Sequence, residues 1–390
     1  MKSKLLLSVL LFATIKINAQ WQQSGLPLNS VSCFAAQGNN IYAGTFWDGI
    51  FLSNNNGASW IAINNGLTTL NVRTIVINGS NIFAGTDGGG VFLSTNNGSS
   101  WTSTNNGLTT LSVYVLAING SDLLAGTYFG GVFLSTNNGL NWSAVNNGIS
   151  SSAFVRAIAI NGTNIFTGTF SDGAFLSTNN GANWTQINNG LTCNSVTAFA
   201  FYTTDVYAGS EGCGVSKTSN NGTNWIQVNN GLSNADIYSF AVSSSSIFAG
   251  GIGGVSITNN NGTSWTTINN GLPNSMVRPL LINNSYIFAG TDSGVYKRSL
   301  VGLSTEELSF NSTFSIYPNP FTENLNVEEL KFKVGEQANI LIYDLTSRKL
   351  LQQSFTKSTS INTSHLSKGI YIYEVTNNKG VIGKGKLVKD

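Results

Sequence analysis

Short apolar runs alternate with polar punctuation through most of this chain, and the alternation itself repeats. Between Val72 and Leu108 an apolar run ends in Asn-Gly, then Asn81-Ile-Phe-Ala-Gly-Thr86, a glycine cluster, Gly90-Val-Phe-Leu-Ser94 and an octet closing at Trp101 follow. Asn-Gly pairs supply the positive φ of tight hairpins, so the segment predicts four short strands joined by turns. Six octets recur, SNNNGASW ending at Trp60, then copies ending at Trp101, Trp142, Trp184, Trp225 and Trp265, about 41 residues apart. Four strands at that spacing make one blade of a β-propeller.

The Ala-Gly-Thr element recurs seven times, at Ala43, Ala84, Ala125, Thr167, Ala208, Ala249 and Ala289. The last unit, Met276 to Leu300, stops short of an octet, while Trp21-Gln-Gln-Ser-Gly-Leu26 reads like a fourth strand without a blade. Ring closure explains both, because the N-terminal strand would cover an otherwise unpaired edge. A solenoid would instead need capping units at both ends. The predicted fold class is all-β: a seven-bladed β-propeller over residues 20–300 closed by the N-terminal strand, followed by a small C-terminal β-sandwich.

Within each octet the chemistry is local. In the second copy, Asn96 is expected to accept the Gly98 N–H in an Asx-turn, Gly98 to turn left-handed, and Trp101 to bury a large apolar face. The pattern S-x-N-x-G-x-x-W resembles the Asp-box, or BNR repeat, of sialidase-like, sortilin-like and photosystem-assembly-type propellers. The family's Asp is replaced by Asn55, Asn96, Asn137, Asn179, Asn220 and Asn260. An amide is a poor ligand for a hard cation, so no calcium, and no other cofactor or metal, is expected.

The two ends differ from the repeats. Met1 to Ala19, with Lys2 and Lys4 before an apolar run, reads as a signal peptide too short to span a bilayer. From Trp21 to Leu300 there are 6 Lys or Arg and 8 Asp or Glu; from Val301 to Asp390 there are 10 and 9. This jump in charge density marks a linker at 301–309 and a second domain at 310–390. Its predicted strands begin at Phe314, Leu325, Ile340, Lys349, Gly369 and Val381. Through Tyr317-Pro-Asn-Pro320, Gly369-Ile-Tyr371 and Lys386-Leu-Val-Lys389 it resembles the C-terminal sorting domain (type A) of the type IX secretion system. That resemblance implies export, with residues 310–390 recognised by the secretion machinery and the cargo then secreted or attached to the outer cell surface. A sugar-binding sandwich that stays on the chain is the alternative.

Composition narrows the chemistry. The repeats contain no His, the one His365 lying in the tail, so Ser-His-Asp hydrolysis and His-ligated metals are excluded there. There is no basic stripe for nucleic acid and no transmembrane span is expected. Aligning the repeats places Cys193 and Cys213 in two loops on one face as the plausible disulfide pair in an oxidising compartment. Cys33 falls in mid-strand, as a buried inert thiol.

Two aligned columns should open on the central channel. One, early in the first strand, reads Ser32, Arg73, Tyr114, Arg156, Thr197, Tyr238, Arg278; the other, after Ala-Gly-Thr, reads Phe46, Asp87, Tyr128, Phe170, Glu211, Ile252, Asp292, with Trp47 and Phe129 beside it. Arg forks grip carboxylates or sugar hydroxyls, and aromatic faces suit pyranose rings. The predicted ligand-binding set is therefore Arg73, Tyr114, Arg156, Tyr238, Arg278, Trp47, Asp87, Tyr128, Phe170, Glu211 and Asp292. The ligand would be a glycan, peptide or protein. The same arginines could instead merely neutralise Asp87, Glu211 and Asp292. A third reading is a glycoside hydrolase or sialidase-like enzyme, in which the separation of those carboxylates decides the mechanism. Asp122 and Asp205 read as turn formers on the opposite face, and Asp48 and Asp172 as turn residues.

Overall fold

The computed structural model describes residues 20–27, 30–273, 276–300, 314–329, 337–344, 348–377 and 380–390. The expected signal peptide and linker lie outside them. The chain divides into two compact units, Met1–Thr305 and Glu306–Asp390. Among the described residues the first unit holds seven four-stranded antiparallel sheets and no helix. Six are continuous in sequence, at 31–62, 72–103, 113–144, 155–186, 196–227 and 237–267. The seventh joins three strands at 277–299 to the strand Gln22–Pro27, which pairs with Gly294–Ser299. First strands of successive sheets touch in order, and that of the seventh, Val277–Asn283, touches that of the first, Val31–Gln37.

Burial explains the repeated sequence. The second strand of the 72–103 sheet, Asn81–Thr86, is buried at every position after Asn81, because neighbouring sheets cover both its faces. Alternation is therefore absent where it is most apolar. Gly66 follows the same logic at a turn. A Cβ on it would stand 2.2 Å from the Trp101 carbonyl oxygen of the next sheet, and φ there is +92°.

Each octet forms a clip that differs from the expected Asx-turn. Ser94 Oγ, not Asn96, accepts the Gly98 N–H at 2.8 Å; Asn96 Oδ1 instead accepts from Ser94 Oγ at 2.9 Å and from the Ser100 N–H at 3.0 Å. Asn97 and Gly98 both adopt positive φ, so the chain curls and brings the fourth residue rather than the second under the carboxamide. The Trp then reaches across: Trp101 Nε1 donates to Ile63 O of the preceding sheet at 2.7 Å, and Trp142 repeats this on Thr104 O at 2.8 Å. Trp21, 2% exposed, makes the same bond to Ile268 O at 2.6 Å, although it precedes the strand Gln22–Pro27 rather than closing an octet. Arg298, 1% exposed, sits opposite Ile287 where other sheets place an octet Ser or Thr, and also donates to Ile268 O.

Asp48 and Asp172 sit in their own loops, each N–H donating to the threonine three residues before it, but Asp122 and Asp205, also expected to form turns, reach between sheets. Asp122 accepts from Asn180 of the next sheet at 2.7 Å, and buried Asp205 accepts from Asn261 at 2.8 Å and pairs with Lys217. The octet of the neighbouring sheet carries its left-handed Asn over these strand starts, which draws the carboxylates outward from their own turns.

In the second unit a sheet of Lys349–Phe355, Ala338–Tyr343, Gly369–Asn377 and Gly380–Lys389 shares one apolar core with a sheet of Phe314–Tyr317, Asn324–Glu329 and Ser358–Asn362. Phe321, Leu325, Val327, Ile340, Ile342 and Val375 fill that core. The strand Ser358–Asn362 was not expected from the sequence, because Ile361 is its one deeply buried apolar side chain. Lys389 folds back among these residues, donating to the Thr322 and Thr363 carbonyls above the Phe321 ring.

Candidate functional site

A pairing irregularity builds the site. The first strand of every sheet slips register near its start, between Val72 and Thr74, Val113 and Val115, Val155 and Ala157, and likewise in the other four. A β-bulge leaves one residue out of the ladder and re-aims its side chain. The residues left out are Ser32, Arg73, Tyr114, Arg156, Thr197 and Tyr238, with Arg278 in the wider slip between Val277 and Leu280. All seven line one cavity of about 320 Å³, joined by Phe46, Phe154, Glu211 and Met276.

Each arginine there has a carboxylate. Arg73 pairs with Asp87 at 2.7 Å within one sheet, and Arg278 with Asp292 within another; Arg156 crosses to Glu211 of the next sheet. A serine column fixes the acids: Ser112 donates to Asp87 at 2.7 Å, Ser30 to Asp292 at 2.8 Å and Ser195 to Glu211 at 3.4 Å. The Cys193–Cys213 disulfide, Cα atoms 5.9 Å apart, ties together the loops that carry Ser195 and Glu211. Cys33 stays a free thiol, pushed up to about 12 by burial. Burial opposes ionisation of Asp87, yet hydrogen bonds from Arg73 and Ser112 and the arginine's charge outweigh it and hold the carboxyl below its usual range. Asp292 is depressed through Arg278 and Ser30 against the same burial cost. Burial raises Tyr114 and Tyr238, so both stay protonated phenols.

Aromatic rings complete the wall. Arg73 lies between Phe46 and Tyr114, 4.8 and 4.5 Å from their centroids, and Arg156 near Phe154 and Phe170. Tyr114 stacks on Tyr128 at 5.7 Å and Phe154 on Phe170 at 5.9 Å. Of the residues expected at the site, Arg73, Tyr114, Arg156, Tyr238, Arg278 and Glu211 line the cavity. Asp87 and Asp292 bind its arginines, and Tyr128 and Phe170 join the ring cluster. Trp47, 71% exposed, is not among the lining residues. Ser32 and Thr197 spend their hydroxyls on the Val72 and Ile237 carbonyls of the following sheets. Phe154 escaped the sequence reading. Its signal lay one column earlier, where Ser30, Ser112 and Ser195 have Phe154 and Met276 as apolar counterparts.

Comparison with known proteins assigns the tail first. Residues 315–390 match the secretion system C-terminal sorting domain. This type IX sorting domain makes the protein a secreted or surface-attached one, with the secretion machinery as its partner. The repeats share the β-propeller fold of several solved structures. One, titled YCF48 bound to D1 peptide, is 12% identical with TM-score 0.60, over 72% of this chain and 96% of that one. PorZ, described as an essential surface component of the type IX secretion system of Porphyromonas gingivalis, is 14% identical with TM-score 0.60, over 93% of this chain and 59% of that one. An ancestral GH74 enzyme is 17% identical with TM-score 0.58, over 95% of this chain and 63% of that one. No curated protein matches the sequence. Among the described residues no cluster of His, Cys, Asp or Glu could hold a metal, and no helix is long and apolar enough to cross a membrane.

Proposed function

We propose that the chain is a seven-bladed, Asp-box-type propeller with a C-terminal sorting sandwich, exported to bind a glycan, peptide or protein at its channel mouth without catalysis. The observation that carries this reading is the matching of acids to arginines. Asp87, Glu211 and Asp292 each already hold an Arg. A glycosidase needs one carboxyl kept protonated as general acid, with a raised pKa. Asp87 and Asp292 are instead held low, which favours fixed acceptors over proton donors.

The test is a glycan and peptide array probed with the purified protein and with Arg73→Ala, Arg156→Ala and Arg278→Ala. Binding that falls at least tenfold in one or more variants is expected; binding unaltered in all three removes the site. Release of reducing ends from any bound saccharide, abolished by Asp87→Asn or Glu211→Gln, would replace binding with hydrolysis as the function.

A further inference from the structure

One loop of the mouth is strained in a way the fold does not need. Phe129 has φ +56° and is 59% exposed. The aligned positions in three other sheets are Gly88, Gly212 and Gly253, at φ +90°, +86° and +89°. Trp47 and Ser171 hold the same place in loops of equal length without a positive φ, so the fold admits a left-handed residue here but does not require one, and glycine adopts it freely where a bulky L side chain does not. Strain of this kind persists chiefly at functional sites. The ring is not repaid by burial: it meets Tyr128 at 4.1 Å and Phe154 at 6.3 Å, and the rest faces water. With Phe170, 51% exposed, these rings form one contiguous ledge in two adjacent sheets, whereas the equivalent loops carry glycine or serine in five other sheets and a lone exposed aromatic, Trp47, in one.

We infer that this ledge of Tyr128, Phe129, Phe154 and Phe170 is the stacking subsite for an uncharged glycan chain, whose neighbouring sugars reach the arginine–carboxylate pairs. The inference rests on the binding function proposed for the same mouth. Charge balance selects the ligand class. Each of the three arginines already holds a carboxylate, and Asp48, Asp172 and Asp236 add negative charge in the same loops, so an anionic sugar gains no net attraction and must displace an acid that already holds its arginine. An apolar peptide would cover the rings but strip water from three ion pairs and offer them little in return. A neutral pyranose does both tasks. Its C–H face stacks on the rings, and its hydroxyls donate to spare carboxylate lone pairs and accept from arginine. Arg73 Nε supplies one such donor, buried and without a partner among the described residues.

The experiment is calorimetric titration of the full purified chain with neutral hexasaccharides of β-1,4-glucose, α-1,4-glucose, β-1,4-mannose, β-1,4-xylose and β-1,3-glucose, beside hexagalacturonate and a displayed heptapeptide library. At least one neutral saccharide should bind, Phe129→Gly should weaken it tenfold or more with Tm unchanged or raised, and Phe129→Tyr should preserve it. Loss of both binding and Tm in Phe129→Gly would make the ring structural and overturn the subsite. Saccharide binding that needs the arginines but not Phe129 also overturns the ledge, while leaving the mouth as the binding face. Selection of hexagalacturonate or peptides alone, or no binding by any probe, overturns the ligand class.

Discussion

The seventh sheet and the six continuous sheets reach the same geometry by different routes. In the sheet at 113–144 the strands, octet and Trp142 come from one stretch of chain, so all its strand pairings are local in sequence. In the seventh, Trp21 and Gln22–Pro27 arrive from about 250 residues away and take the place of the missing octet. The two Trp residues make equivalent bonds, yet only one of them closes the ring. An identical contact therefore carries a different burden according to the length of loop it completes, because closure entropy falls on the non-local one.

The sharpest way to break this comparison is Trp21→Ala against Trp142→Ala. Both truncations should cost about 3–5 kcal/mol as buried aromatic deletions. Only Trp21→Ala should also strip hydrogen-exchange protection from Gly294–Ser299, the strand that Gln22–Pro27 covers. Equal protection of that strand in both variants would mean closure does not depend on the N-terminal strand. Arg298→Ser comes next. It restores the residue type that other sheets carry at this place but empties a fully buried site and leaves Ile268 O to Trp21, so a loss of about 2–4 kcal/mol in urea unfolding is expected. A neutral result would show that Arg298 is a passenger in the closing sheet.

The smallest effect concerns acid, where the two kinds of sheet should behave alike. Asp292 lies in the seventh sheet and Asp87 in a continuous one, and both folded-state pKa values are depressed. A depressed carboxyl contributes stability above its unfolded value, about 3.9, and loses it as pH falls through the folded value. The urea midpoint should thus hold steady from pH 7 to about pH 4.5 and drop below about pH 4. Asp87→Asn and Asp292→Asn should each flatten part of that drop, and a larger flattening for Asp292 would show that the closing sheet draws more of its stability from its ion pair.

Much of the site could be read one residue at a time. The arginine column and the acid column were visible because a fixed repeat forces equivalent positions onto one face, whereas their pairing stood only as an alternative to ligand binding. Phe154 was not, since it occupies a column that is polar in most repeats and gains its role only by packing between Tyr114 and Phe170. Trp47 illustrates the reverse: it stands beside the right column, but its side chain stays in solvent. The octet's true acceptor also escaped, because two consecutive left-handed residues change which N–H reaches the carboxamide.

The sequence by itself determined the repeating strands, their turns, the tail's address and the columns around the axis. The strands, turns and columns follow from alternation, positive-φ residues and hydrogen bonds spanning a few positions, and the address from the resemblance of the tail's motifs to a sorting domain. Only the tertiary structure decided that Arg156 reaches Glu211 in the next sheet, that Arg298 joins Trp21 on one carbonyl, and that Phe129 stands strained and wet. The first two are contacts between residues 30 or more positions apart, and the third depends on which neighbours leave the Phe129 ring uncovered, so none can be read from a local stretch of chain.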